Sequence, residues 1–223
     1  IRWEIPGITA NPTKDTPLFD DFAGQRDRFL SQEETHRLFD AVKQSDNPML
    51  QFIVPMLILS GARKREVLDA KWEDFDLDRR QWRIPVTKTG RPRYVPLSNG
   101  VITLLANVPH DERCPYVFAN PKTKKPYESI FNSWNKARKA AGLQDVRLHD
   151  LRHSFASFLV NAGRSLYEVQ RILGHTQIKT TQRYAHLSQD TLLDAADAVG
   201  NLVSPVAPLI TPVPAGQLGY RGV

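Results

Sequence analysis

The strongest constraint on the fold of this chain is a run of helix start and stop signals between residues 31 and 199, interrupted once by strand-like alternation at 81–97. Ser31 and Glu34 match a capping box, in which two side chains take up the unpaired N–H groups of a first helical turn. They predict a helix to about Val42. A second helix is expected over about 48–60, where the apolar run Phe52–Leu59 is interrupted by Pro55 and has the character of a buried helix. A third starts near Arg63. Gln81–Val86 and Arg93–Leu97 alternate and predict two strands, joined by Lys88, Thr89, Gly90, Arg91 and Pro92 as the turn. Helices resume near Ser98 and are expected over 127–141 and 149–162, stopped by Gly142 and Gly163. Ser165 and Glu168 form a second capping box for a helix ending at Gly174, and further helices are expected over about 180–187 and 189–199. The pattern predicts a mainly α fold with a small antiparallel β-sheet, an α+β domain.

The two ends differ in character. Residues 1–27 are rich in Pro, Thr, Asp and Gly without periodicity, and are expected to be an arm or linker. Residues 204–223 contain Pro205, Pro208, Pro212 and Pro214 with three glycines, a composition that cannot sustain a helix and predicts a tail. The folded domain is therefore expected over 28–203. No apolar run approaches the roughly 18 residues needed to span a bilayer. Lys and Arg number 30 against 24 Asp and Glu, a net charge of +6 that points toward a polyanion, with nucleic acid the first candidate. The one cysteine, Cys114, excludes an internal disulfide or a cysteine-rich metal site and fits a reducing, cytoplasmic setting.

Chemistry concentrates in His149-Asp150-Leu151-Arg152-His153. On a helix, His149, Arg152 and His153 share a face. The spacing has a distant likeness to the H-E-x-x-H zinc helix. The acid here is Asp150, however, and Arg152 would set a cation on the metal-binding face, so no metal and no cofactor is expected.

Elsewhere the chain carries G-x-R-x-x-E at 61–66, a K-T-G turn at 88–90, L-G-H at 173–175 and a tyrosine nine residues after His175. The ordered set Arg63, Lys88, His149, Arg152, His175 and Tyr184 resembles the active-site pattern of the tyrosine recombinase (phage integrase) family, over about residues 28–199. The resemblance implies the catalytic-domain fold of that family. It also implies a site-specific recombinase or integrase that cuts and rejoins DNA through a 3′-phosphotyrosine bond, leaving a free 5′-hydroxyl.

The residue types suit that chemistry. Attack on a phosphodiester loads charge onto the nonbridging oxygens, and guanidinium groups meet those oxygens with paired, charge-assisted hydrogen bonds. Arg63 and Arg152 are the expected clamp, with His175 as a further donor. Tyr184 is the nucleophile. A tyrosine with its ordinary pKa of about 10 needs help losing its proton, for which His149 is the candidate. Lys88 is the candidate general acid for the leaving 5′-oxygen. Glu66 and His153 are expected to support the site, and Arg91, Arg93 and Arg183 to contact DNA. The partners implied are double-stranded DNA and other copies of the chain: a monomer when free, and a homo-tetramer on synapsed DNA that exchanges the apolar helix face of Leu192, Leu193, Ala196 and Val199. A nucleoid-associated protein of bacterial or phage origin is expected. Type IB topoisomerases use similar chemistry and form the alternative; a DNA-binding regulator without catalysis is a third reading. Members of the family usually carry a separate core-binding domain, for which residues 1–27 are too short.

Overall fold

The computed structural model describes residues 28–85, 92–175, 177 and 179–185. The expectations for the arm, for the turn bearing Lys88 and Arg91, for the helix over 189–199 and for the tail lie outside these residues.

Helix α1 (Gln32–Lys43) begins at the Ser31 capping box, with the Ser31 Oγ accepting from the Glu34 N–H and Glu34 accepting from the Ser31 N–H. Helix α2 (Leu50–Ser60) is the centre of the domain. Leu50, Ile53, Val54, Met56, Leu57 and Ile58 are all buried, so the helix is apolar around most of its circumference, with Gln51, Phe52 and Leu59 half-buried on the remaining side. It packs against α1, α3 (Lys64–Leu68), α4 (Asn99–Ala106) and α6 (Leu148–Asn161). Helix α5 (Phe131–Ala140) lies on α1, and α7 (Leu166–Leu173) lies on α6. Helix α7 starts at the Ser165–Glu168 capping box and ends at Gly174, whose φ of 67° is the left-handed stop anticipated from the sequence. A short α8 (Lys179–Gln182) follows.

The sheet has three antiparallel strands in the order β1 (Phe75–Asp76), β2 (Gln81–Ile84), β3 (Arg93–Pro96). Strands β2 and β3 match the expected pair, with Trp82 opposite Val95 and Ile84 opposite Arg93 on the inward face. Strand β1 was not anticipated; it is two residues long, and Phe75 stacks on Trp82 at 5.2 Å between centroids. Helix α5 starts at Phe131 rather than near Tyr127. The Tyr127 hydroxyl instead donates to the Asn47 side chain, and Ala119 and Pro126 pair in an isolated β-bridge across the turn at 121–125.

A main apolar core runs through α1–α6 and the sheet. A second, smaller cluster unites Ala156 and Val160 of α6, Val169 and Leu173 of α7, and the ring of Tyr184. No helix among the described residues is long and apolar enough to cross a membrane.

Candidate active site

The site forms where three chain turns meet. Gly61 ends α2 at φ 61°, a left-handed conformation that favours glycine. A Cβ there would lie 2.3 Å from Phe155 Cδ1 and 2.8 Å from Leu173 Cδ2, so the residue is required on steric grounds as well. Two residues on, Arg63 caps α3. Its backbone N–H donates to Glu66 Oε2 at 2.7 Å and its Nη1 to Glu66 Oε1 at 2.9 Å. The Arg63 side chain is 35% exposed, open enough to meet a ligand.

Arg152, on α6, is only 5% exposed and ties the motifs together. Its Nη1 donates to the Gly61 carbonyl at 2.5 Å and its Nη2 to the Leu173 carbonyl at 2.7 Å. The first carbonyl lies two residues before Arg63 and the second two residues before His175. Burial, and then the charges of Arg63 and Arg93, pull Arg152 down to about 9, so its guanidinium is charged at neutral pH.

His175 follows Gly174, and its Nδ1 sits 2.9 Å from the hydroxyl of the buried Thr181. Burial first, then Arg152 and the other arginines, push His175 down to about 3, so the ring is neutral near pH 7. Tyr184 is 5% exposed, and its oxygen lies 2.5 Å from His153 Nδ1. Burial, then His149 and Arg183, lower His153 to about 4. Arg183 Nη1 stands 3.4 Å from His153 Nε2. His149 meets His153 edge-to-face at 4.7 Å, and burial followed by Arg152 lowers its pKa below the ordinary value.

Arg63, Glu66, His149, Arg152, His153, His175, Arg183 and Tyr184 are therefore brought together, while Lys88 and Arg91 lie outside the described residues. Two placements differ from the sequence expectations. The histidine in contact with the Tyr184 oxygen is His153, one turn along α6 from His149. Arg93, expected at the DNA surface, is 8% exposed and turned inward: its Nη2 donates to Glu66 Oε2 at 2.6 Å, and its Nη1 donates to the Ile172 carbonyl at 3.0 Å and also to Leu173. The cause is the period of two in a strand. Arg93 shares a face with Val95 and Leu97, and that face is the core side. The alternation that identified the strand thus already contained this orientation. Thr181 was not anticipated; nothing in the sequence marks it apart from its place between His175 and Tyr184.

Asp150, the acid of the zinc-like spacing, has a structural role. It is buried and accepts from the Arg147 N–H at 2.8 Å, capping α6. Among the described residues, no group of three or more His, Cys, Asp or Glu is placed to hold a metal ion.

Comparison with known proteins identifies the family. A family model described as the phage integrase family matches residues 28–191. The chain is 30% identical over 176 residues to the tyrosine recombinase XerC of Staphylococcus carnosus (strain TM300), covering 74% of this chain and 58% of that protein. It is 27% identical over 197 residues to the integrase of Salmonella phage P22, covering 82% of this chain and 50% of that protein. The chain thus spans only about half to three-fifths of the length of these relatives. Among solved structures, the catalytic domain of bacteriophage HP1 integrase matches with a TM-score of 0.61 at 25% identity, covering 83% of this chain and 98% of that one. The XerH recombinase bound to a palindromic difH substrate, in its post-cleavage complex, shares the fold with a TM-score of 0.62 at 22% identity. By its family match, its fold and the residues its fold assembles, this chain belongs to the phage integrase family of tyrosine recombinases.

Proposed function

We propose that this chain is the catalytic part of a site-specific DNA recombinase or integrase, with residues 28–203 as the catalytic domain between an arm and a tail. The observation that carries the reading is the position of Arg152. One buried guanidinium is hydrogen-bonded to the turn before Arg63 and to the turn before His175, while His153, on the next position of the same helix, holds the Tyr184 oxygen. A scissile phosphate set against Arg63 and Arg152 would lie within the same constellation as the nucleophile.

In the proposed reaction the Tyr184 oxygen attacks phosphorus, the P–O5′ bond breaks, and a 3′-phosphotyrosine forms. Arg63 and Arg152 stabilise the charge on the nonbridging oxygens. A Thr181 hydroxyl donating to His175 Nδ1 leaves the proton on Nε2, which makes His175 a neutral donor to the same oxygens. Lys88 supplies the proton taken up by the leaving 5′-oxygen. A guanidinium only donates, so Arg183 beside Nε2 of His153 favours the proton on Nδ1. His153 then donates to the Tyr184 oxygen, which favours the phenolate. The phenolic proton leaves by way of water, with His149, which lies edge-to-face against His153, as the proposed acceptor. Religation reverses these steps with a 5′-hydroxyl as nucleophile and needs no nucleotide energy, because the phosphodiester energy is kept in the tyrosyl ester.

The proposed partners are duplex DNA carrying a recombination site and, on synapsed DNA, three further copies of the chain docked through residues 189–199, the free chain being a monomer. A cytoplasmic, nucleoid-associated location follows from that role. A type IB topoisomerase is not favoured, since the relatives named above are recombinases and integrases. The test is a nicked duplex bearing the cognate site: a covalent complex followed by strand exchange between two duplexes is expected. On a supercoiled plasmid bearing the same site, relaxation without exchange would instead support the topoisomerase.

A further inference from the structure

Arg93 is a buried charge in a place where an aliphatic side chain would fill the same space without desolvation. Burial lowers its pKa, and the neighbouring charge of Arg63 acts in the same direction. Its Nε is a buried nitrogen without a hydrogen-bond partner in the structure. What the guanidinium does have is a set of contacts that no neutral side chain could reproduce. Glu66 is shared between two arginines: Oε1 accepts from Arg63 and Oε2 from Arg93. The Leu173 carbonyl is also shared between two arginines, Arg93 and Arg152. Arg93 is therefore the link that closes a path from Arg63 through Glu66 to the end of α7 and on to Arg152. The fit is close from the other side as well, since a Cβ on Gly174 would lie 2.3 Å from Arg93 Cδ.

We propose that Arg93 is a positioning residue for DNA cleavage, fixing the distance between the Arg63 guanidinium and the C-terminal end of α7, where His175 stands. It does not touch DNA in this role. It acts through Glu66 and through two backbone carbonyls. The inference rests on the functional reading above, in which Arg63 and His175 meet the scissile phosphate.

The test uses the whole chain with Arg93→Lys, Arg93→Gln, Glu66→Gln and the double variant Glu66→Gln/Arg93→Lys. Three quantities are measured for each: the thermal melt, Kd for a single-site duplex, and the single-turnover rate of covalent complex on a nicked duplex. Folded Arg93 variants are expected to bind DNA within a few-fold of the parent but to cleave about 10²-fold more slowly, the effect of a displacement on the order of 1 Å in a reacting geometry. Lysine is not expected to rescue, because a single ammonium cannot span Glu66 and both carbonyls. The double variant should be little slower than the worse single variant, as two groups acting as one unit require.

Parent-like cleavage by folded Arg93→Lys and Arg93→Gln would overturn the inference. So would a loss of DNA affinity in proportion to the loss of rate, which would make Arg93 a binding residue. If Arg93→Gln melts below the assay temperature, Arg93→Lys carries the test; unfolding of both would assign Arg93 to folding alone and equally overturn the proposal. Tyr184→Phe in the same series separates the two claims. Adduct surviving in that variant defeats the functional reading itself, whereas its loss there beside parent-like Arg93 variants defeats only this one.

Discussion

Replacing Arg152 with lysine keeps a positive charge and removes a planar fork. The structure allows the two consequences to be sized separately. Arg152 is 5% exposed, and its Nη1 and Nη2 donate to the carbonyls of Gly61 and Leu173 at 2.5 and 2.7 Å. A lysine ammonium is a point donor and can serve one of them. The Leu173 carbonyl also accepts from Arg93, so the group at risk is the Gly61 carbonyl. Leaving one buried acceptor unpaired costs about 1–3 kcal/mol. That is a fraction of the roughly 5–15 kcal/mol that holds a domain together, so the variant should fold. Its melting temperature should fall by roughly 4–8 °C for a loss of about 2 kcal/mol. Cleavage should suffer much more. Loss of one well-placed donor to the developing charge costs about 10²–10³ in rate, and lysine cannot serve the carbonyls and the phosphate together. Thermal melts and single-turnover cleavage of a nicked duplex read the two effects independently. A folded Arg152→Lys variant that cleaves within a few-fold of the parent would refute the assignment of this guanidinium to the phosphate.

Three further outcomes are expected. Gly61→Ala must both hold alanine at φ 61° and displace Phe155 from 2.3 Å; it should destabilise by about 2–4 kcal/mol in denaturant melts, and an unchanged midpoint would contradict the close approach. His153 and His175 have folded pKa values of about 4 and about 3, below the ordinary 6.5. The unfolded chain therefore binds protons that the native chain refuses, and stability is full above about pH 6.5 and lost as pH falls toward 4 and then 3. Melting temperature should fall between pH 7 and pH 4, less steeply in His175→Asn, and equal slopes in the two proteins would exclude His175 as a source. Single-site DNA affinity should fall with salt by roughly 0.9 log units per decade for each phosphate contacted; a flat response in a binding titration would argue against a phosphate-dominated interface.

Much of the fold was legible because it rests on local rules. The capping boxes at Ser31 and Ser165 and the left-handed glycines at 142, 163 and 174 each act within one turn of chain, and each stands where the sequence placed it. The elements that escaped are those decided by distant partners. The start of α5 is set by the contacts of Asn47 with Ser133 and Tyr127, and β1 pairs with β2 alone. The same division runs through the site. Helical spacing put His149, Arg152 and His153 on one face, but which histidine meets Tyr184 depends on how the 179–185 segment lies over α6. The inward turn of Arg93 was present in the alternation of 93, 95 and 97; the prior that charges face solvent overrode it. Thr181 acquires its role only when the turn after Gly174 brings it to His175.

The central claim is that Tyr184 becomes covalently joined to DNA. The direct measurement is proteolysis of the complex trapped on a nicked duplex, followed by mass spectrometry of the peptide that retains a nucleotide. A 3′-phosphotyrosine on the peptide containing Tyr184 is expected, with no adduct from Tyr184→Phe and DNA binding by that variant preserved. A nucleotide on any other residue, or an adduct that persists in Tyr184→Phe, would contradict the account.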